Sequence, residues 1–483
     1  MQVSAPKIAT VATVSARRPQ TPPPALGTDD PNNHPGLAPD VIAQRTAQGR
    51  VAENTADVLP PGTIERGAPA YFRTYEQLKT AMFELQTKYP DLVEVRDIGD
   101  SSEKTAGKPG RDIWALRITN KNSGGTKPTV EHTAGLHARE IANPELLMTF
   151  AKQLLDGYGR DPEATALLNT RQIDLIPMVN ADGHAVIERA YANQPGGDMM
   201  KRRNTSGPNG AGTDLNRNYE WKWGGPGASS HPSSDTYRGP SAASESETKA
   251  VQAYTAAQKP SLYMDWHSYS KLNLYPWGDT REKTPHHEGY KALAEKFSTY
   301  NHYSPIQSIQ LYPTSGTTDD HMYGSYGVPS LAVETGSSFH QSDAEFAQTL
   351  RENLPVLYYG TKVADDPFQR VKGPDTVDVL VDTANRTVTA QVSDLTNGKD
   401  AIAGAELVLD PATPFGKGIA LTALDGKFDK DTEQVTGSFS SLPGLKPVDG
   451  ALVYVRAQDA KGNWGPNTAQ WLSGPPSAQP TRQ

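Results

Sequence analysis

His137 and Glu140 stand three residues apart in "EHTAGLHAREIANPELL", between an apolar run that reads as a strand and a run that reads as a helix. An imidazole and a carboxylate at that spacing can converge on one point, which is half of a metal site. The chain contains no cysteine, so any metal it holds is held by His, Asp or Glu. With 11 histidines and 55 acidic residues, about one such pair arises by chance, and His340 with Asp343 is a second. The pair becomes informative only with a third ligand. His267 closes the apolar run "SLYMDWH", and the carboxyl ends of strands are where open α/β sheets gather their sites. A hydrolytic zinc site takes three protein ligands, often two histidines and a glutamate, and keeps a position open for water. His137, Glu140 and His267 match that set, and their donors suit zinc, so one Zn2+ per chain is expected.

Ligands drawn from distant segments need a rigid scaffold. In "TYEQLKTAMFELQTKYPDL", Leu78, Met82, Phe83 and Leu85 fall at helical spacing, with Pro90 as a stop. "RDIWALRIT", "PTVEHTAGL", "QIDLIPMVN", "SLYMDWH" and "SLAVE" read as strands, and "DAEFAQTLRENLPVLYY" as the helix that follows the last of them. In "NPELLMTFAKQLL", Asn143 is expected to cap a helix with Pro144 at its first position. Ser244 and Glu247 have the capping-box spacing for another helix. Alternating strands and helices predict an α/β domain over residues 67–365 with a mostly parallel or mixed sheet. After a linker at 366–375 come short alternating runs separated by Gly, Asn and Asp turns, which predict an all-β sandwich over 376–474. Residues 475–483 are expected to fray.

Composition narrows the function classes. A formal charge of −8 disfavours nonspecific nucleic acid binding, and no run of 18 apolar residues appears that could span a membrane. The first 70 residues hold no Phe, Trp or Tyr, and ten prolines fall in the first 66, so residues 1–66 are expected to be a disordered Pro-rich leader. Arg17 and Arg18 are followed by no apolar stretch of signal length, so a secreted or periplasmic protein whose signal has been removed is expected.

Taken together, "HARE", "NADG", "KRRN", "DLNRNY", "HSYSKLNLYPWG", "YPTSGTTDD" and "LAVETG" occur in an order that resembles the zinc carboxypeptidases of the funnelin type. This is the family of pancreatic carboxypeptidases A and B and of bacterial relatives such as carboxypeptidase T, and the resemblance runs from about Tyr71 to Ala364. It implies that His137, Glu140 and His267 bind zinc and that Glu334 is the catalytic glutamate. It implies further that Tyr312 is the mobile tyrosine of the substrate pocket and that Asn216 and Arg217 bind the terminal carboxylate. Arg202 corresponds to the arginine of the family's "WRKN", but Lys201 replaces the tryptophan, which leaves Arg203 as a rival. Arg139 would be a secondary substrate contact and Asp214 a partner of a zinc-bound histidine. Asp319 falls where members specific for basic residues carry an acid at the floor of the specificity pocket, with Asp320 matching a more widespread aspartate.

The chemistry of these residue types agrees with those roles. A carboxylate near the metal can shuttle a proton, an arginine cannot lose its charge as it opposes an oxyanion, and an arginine fork can select free chain ends. The expected function is therefore a monomeric metallocarboxypeptidase acting on peptide or protein C-termini with a preference for Lys and Arg. Two alternatives stand beside it. A cell-wall peptidase of the same fold would be expected to alter the carboxylate-binding region, whereas "LNRNY" is intact. A noncatalytic binding protein would make the β-sandwich its working part, but Trp464 and Trp471 are that region's only tryptophans. His132, His184, His231, His286, His287, His302 and His321 are expected to be structural or solvated.

Overall fold

The computed structural model describes residues 68–207, 210–440 and 448–476. The leader expected over 1–66 and the end of the expected tail lie outside the described residues. An eight-stranded mixed sheet forms the first body: β1 (Val93–Asp100), β2 (Asp112–Ile118), β3 (Thr129–Ala134), β4 (Gln172–Ile176), β5 (Leu262–Ser268), β6 (Leu272–Tyr275), β7 (Ser304–Gln307) and β8 (Ser330–Thr335). Their order is β1-β2-β4-β3-β5-β8-β6-β7. The central neighbours β4, β3, β5 and β8 run parallel, and antiparallel strands flank them on both sides. Helices α1 (Tyr75–Lys88), α2 (Ser102–Thr105), α3 (Ala142–Gly157), α4 (Pro162–Thr170), α5 (Ala181–Tyr191), α6 (Ser246–Gln258), α7 (His287–Asn301), α8 (Thr318–Tyr326) and α9 (Asp343–Lys362) complete it. None of the described helices is long and apolar enough to cross a membrane.

Strands β3 and β5 are buried along their whole length, as central parallel strands must be when both faces are covered. Their polar side chains are accommodated by pairing and neutrality. Trp266 Nε1 donates to His132 Nδ1 at 3.2 Å, and burial pushes His132 down to about 3, so the ring is a neutral core residue. Glu131 accepts a bond from Thr255, and burial pushes it up to about 8.

Two expected helix starts differ. Helix α3 begins at Ala142 after Ile141, and no side chain caps it. The Glu140 N–H already bonds the His137 carbonyl at 3.1 Å, so the chain turns before Asn143. Asn143 instead accepts from Thr335 Oγ1 at 2.7 Å, fastening the helix to the end of β8. Helix α6 begins at Ser246 with Glu245 at the cap position and no side-chain cap. Ser244 Oγ donates to Glu245 Oε1 at 2.7 Å, and Glu247 is drawn inward to accept from the Ser102 N–H at 2.9 Å. In both cases a tertiary partner outcompetes the local cap.

The second body holds β9 (Asp375–Asp382), β10 (Thr387–Ser393), β11 (Ile402–Val408), β12 (Ile419–Ala423), β13 (Thr432–Ser438), β14 (Leu452–Asp459) and β15 (Thr468–Trp471). Every pairing among them is antiparallel, in the order β15-β14-β11-β12-β13-β10-β9. Strand β12 joins the two layers of the expected sandwich by pairing with both β11 and β13. The outer strands approach one another, with Thr468 Oγ1 donating to the Thr376 carbonyl at 2.8 Å and Gln470 Nε2 to that of Val379 at 2.7 Å. The result is a near-barrel around Val388, Val392, Leu407, Val435 and Val455.

The two bodies are fastened by buried polar contacts. Lys296 of α7 is 2 % exposed and pairs with Asp375, while its ammonium also donates to Thr396 Oγ1 at 2.6 Å and Asn397 Oδ1 at 3.0 Å. Lys362 bridges to Glu163 Oε1 at 3.1 Å, and Glu163 Oε2 accepts from the Ala469 N–H at 3.0 Å. Within the expected linker, Pro367–Arg370 forms a short helix, α10, whose Arg370 donates to the Trp464 carbonyl at 2.9 Å. Trp471 Nε1 donates to the Arg160 carbonyl at 3.4 Å. Both tryptophans thus serve packing at this junction.

Removing one member of a buried ion pair strands the other charge. Lys296→Ala should therefore cost about 3–5 kcal/mol in urea denaturation, whereas Lys296→Met with Asp375→Leu should recover most of that loss. A single variant as stable as the parent would remove the pair from the forces that hold the junction.

Candidate active site

Sheet register assembles the site. In the parallel pair β5–β8, His267 stands opposite Glu334, one residue from each strand's carboxyl end. Beside them β3 ends at Ala134, and Gly135, at φ +66°, turns the chain off the sheet into the segment that carries His137 and Glu140. A Cβ at Gly135 would sit 3.2 Å from the Pro177 carbonyl, so the turn favours glycine on both counts.

The three predicted ligands meet. His137 Nδ1 lies 2.7 Å from Glu140 Oε1, and His267 Nδ1 lies 3.0 Å from Glu140 Oε2. One donor atom from each of the three residues falls within 4.8 Å of the others, and all three side chains are buried. The far nitrogens are held too: His137 Nε2 is 3.1 Å from Asp214 Oδ1, and His267 Nε2 is 2.8 Å from Asp265 Oδ2. Each imidazole thus presents Nδ1 to the centre while a carboxylate fixes its opposite edge, which orients the ring and raises its basicity toward a metal. Two nitrogens, one carboxylate and no sulfur make a donor set that fits zinc.

Asp265 was not among the residues singled out in the sequence. The signal was present in "MDWH": strand side chains alternate, so positions 265 and 267 share a face. Thr133 Oγ1 donates to Asp265 Oδ1 at 2.8 Å and Thr318 Oγ1 to its Oδ2 at 2.5 Å, locking the carboxylate in place.

Charge balance follows from this geometry. Burial alone would raise Glu140, but the two facing imidazoles hold it well below the usual carboxylate range. Burial likewise opposes ionisation of Asp214, and the guanidinium groups of Arg202 and Arg217 overcome it and hold the carboxyl low. At Glu334 burial prevails and raises the carboxyl, against the opposing pull of the His267 and His137 rings and of Arg202, with the Glu140 charge adding to the rise.

The triad opens into a cavity of about 270 Å³ lined by every predicted site residue: Arg139, Arg202, Asn216, Arg217, Tyr312, Asp319 and Glu334 as well as the ligands. Arg202 donates through Nε and Nη2 to Asp214 Oδ2 at 3.1 and 2.9 Å, which brings its Nη1 within 3.4 Å of His137. Its rival Arg203 points elsewhere, donating to the carbonyls of Gly212 and Pro232 at 3.2 and 2.5 Å. Asn216 Nδ2 lies 3.3 Å from His267 Nε2, and its Oδ1 accepts from the Thr318 N–H at 2.9 Å. Arg217, 2 % exposed, donates to the carbonyls of Gly227 and Asn216 at 3.0 and 2.6 Å. Tyr312, 48 % exposed, is the most open of the predicted group.

Asp319 is buried, accepts from Ser308 Oγ at 3.1 Å, and shares the cavity wall with Leu274, Leu311 and Ala332. Burial pushes its carboxyl up. Asp320 does not line the cavity and accepts instead from the Gly278 N–H, at 3.1 and 2.9 Å. Phe339, another residue the sequence did not reveal, stacks under the Arg139 guanidinium at 4.0 Å and meets the Tyr269 ring edge at 4.8 Å. Nothing in its local pattern marks it, because its partners are about 70 and 200 residues away in the chain. The incidental pair His340 and Asp343 does not converge: His340 bonds the Tyr191 hydroxyl and the Met199 carbonyl, and Asp343 accepts from the Ala70 N–H.

The sequence model described as zinc carboxypeptidase (Peptidase_M14) matches residues 78–355. Carboxypeptidase A2 of Rattus norvegicus is 31 % identical over 294 residues, covering 58 % of this chain and 66 % of the relative. Carboxypeptidase B of Canis lupus familiaris is 30 % identical over 301 residues, covering 59 % of this chain and 69 % of the relative. The crystal structure of thrombin activatable fibrinolysis inhibitor superposes with a TM-score of 0.56 at 25 % identity, over 65 % of this chain and 81 % of that one. The chain spans a little under two thirds of the length of several curated relatives, at 61–66 %. Strands β9–β15 all lie beyond the matched residues.

A metal centre built this way predicts graded losses. His267→Ala should bring zinc content, measured by atomic absorption, from about one per chain to near zero. Asp265→Asn should retain zinc but weaken its affinity about 10–100-fold in a chelator competition. Unchanged affinity in Asp265→Asn would mean that the far nitrogen of His267 needs no anchor.

Proposed function

The chain belongs to the zinc carboxypeptidase family, and from that premise we propose that it removes the C-terminal residue of peptides and proteins, favouring Lys and Arg. The observation that carries the proposal is one cavity that joins the triad and Glu334 to a buried guanidinium, Arg217, fit to receive a free carboxylate. When bound at His137, Glu140 and His267, zinc supplies Lewis acidity, acidifying water and polarising a carbonyl.

The chain's own groups supply the rest. Arg217 with Asn216 receives the terminal carboxylate, and Arg217 is preorganised by its bonds to the Gly227 and Asn216 carbonyls. Arg202, held by Asp214, opposes the charge that develops on the scissile carbonyl oxygen as the tetrahedral state forms. Glu334 takes a proton from the attacking water and passes it to the leaving nitrogen. Arg139 and Tyr312 contact the substrate on the more open side of the cavity.

Asp319 reads the side chain in this proposal. Its carboxylate is the acidic group on the wall it shares with Leu274, Leu311 and Ala332, so a Lys or Arg side chain completes an ion pair there, whereas an aliphatic one leaves the charge with only its hydrogen bond from Ser308. Action on peptides accords with the secreted or periplasmic location expected from the sequence.

Three substitutions separate these roles. Glu334→Gln should keep zinc and lose about 10²–10⁴-fold in kcat. Arg217→Ala should raise KM about 10–100-fold for free-carboxylate substrates and leave the low turnover of amidated ones unchanged. Equal losses on both substrate types would deny Arg217 its part in choosing chain ends. On blocked dipeptides ending in Arg, Lys, Phe and Leu, the parent should show its highest kcat/KM for Arg and Lys, and Asp319→Ala should erase that advantage. If the order of the four substrates survives the substitution, Asp319 does not set specificity.

A further inference from the structure

Two aspartates of the loop between β10 and β11 meet a third, from the end of β14, in the second body. Asp394 follows β10, Asp400 precedes β11, and Asp459 ends β14. One carboxylate oxygen from each lies within 4.8 Å of the others, and Asp394 and Asp459 are fully buried. We propose that Asp394, Asp400 and Asp459 form a calcium-binding site, separate from the zinc centre and independent of the peptidase reading.

Asp394 makes the strongest case. Its Oδ2 accepts from the Asp400 N–H at 2.8 Å, but its Oδ1 is buried without a hydrogen-bond partner, in the carboxylate whose oxygen meets those of Asp400 and Asp459. A buried acceptor left unpaired is costly, and next to two further carboxylates the cost is relieved by a cation. Local lysines do not fill the need. Lys461 pairs with Asp400 Oδ2 at 2.9 Å from a position 67 % exposed, a surface bridge of small worth that can swing into solvent. Lys296 is occupied by Asp375, Thr396 and Asn397.

The backbone leaves room for close approach. At Gly398 a Cβ would stand 2.9 Å from Asp400 Oδ2 and 3.0 Å from Asp394 Oδ2, so any side chain would intrude on both carboxylates. The donor set is all oxygen and borne on irregular loops. Calcium accepts such sets at about 2.3–2.6 Å with flexible geometry and completes its shell with carbonyls and water, whereas magnesium demands a near-ideal octahedron and zinc favours nitrogen and sulfur. Oxygens within 4.8 Å of one another are compatible with a shared ion at such distances.

The site would also bear on the junction between the two bodies. Thr396 and Asn397, which hold Lys296, lie on the loop whose two ends are Asp394 and Asp400, and Asn397 Nδ2 further donates to the Val371 and Gly373 carbonyls at 3.0 and 2.9 Å. An ion clamping both ends of this loop would stiffen the surface that docks onto α7.

The test uses the zinc-loaded full chain, freed of calcium by dialysis, at ionic strength held constant with NaCl. Calorimetric titration with CaCl2 should show about one site with Kd of about 10⁻⁴–10⁻³ M, and ~10 mM calcium should raise Tm by about 2–5 °C. Asp394→Asn keeps an acceptor for the Asp400 N–H but removes the charge, and it should abolish both the heat and the shift. Asp400→Asn, at the most exposed of the three positions, should do the same and keeps the test decisive if Asp394→Asn does not fold. A parent that shows neither heat nor shift, or a shift that persists in a folded variant, overturns the site. An equal response to MgCl2 overturns the assignment to calcium.

Discussion

Two imidazoles and a carboxylate converging in a buried space would be unstable if the far side of each ring were free. The arrangement depends on Asp214 and Asp265, which grip the Nε2 atoms of His137 and His267 from outside while Glu140 lies between the Nδ1 atoms. These outer carboxylates are themselves held. Asp214 is bonded by Arg202 and by the Asn216 N–H, and Asp265 by Thr133 and Thr318. A buried charge without such a network would cost several kcal/mol, so the network is a condition for the site to exist.

The same bonds couple the metal centre to the surfaces proposed to read the substrate. Arg202 is aimed by Asp214, so the side chain proposed to oppose an oxyanion and a ring proposed to bind zinc share one anchor. Asn216 touches His267 with one end and the start of α8 with the other, and α8 carries Asp319. A displacement at the metal would thus be felt along the cavity wall, because closely packed groups linked by hydrogen bonds have few independent positions.

Outside the matched family region, the near-barrel is joined to the α/β body by buried charges together with a small apolar cluster of Ala166, Val408, Tyr454 and Ala469. Lys296 reaches out of α7 into oxygen ligands supplied by β9 and by the loop after β10. Such a junction is specific in register because each buried polar atom needs its partner. It also means that anything that stiffens the 394–400 loop acts on the orientation of the two bodies.

Much of the chemistry was legible in the chain itself. The period of the apolar residues marked the α/β and all-β regions, the lack of cysteine restricted the ligands to His, Asp and Glu, and the order of "HARE", "DWHSYS" and "LAVETG" carried the family resemblance. Such features are local, and local pattern survives in one dimension. Other outcomes depended on partners that only folding brings near. The helix caps expected at Asn143 and at Ser244 with Glu247 lost to tertiary bonds, of Asn143 with Thr335 and of Glu247 with Ser102. Arg202 rather than Arg203 entered the cavity because Asp214, twelve residues on, takes its guanidinium while carbonyls at 212 and 232 take the other. Asp265, Phe339 and the Asp394, Asp400 and Asp459 cluster stayed hidden for the same reason. What makes each of them matter is a distance of a few ångströms to a residue far away in the chain, and sequence spacing carries no record of that distance.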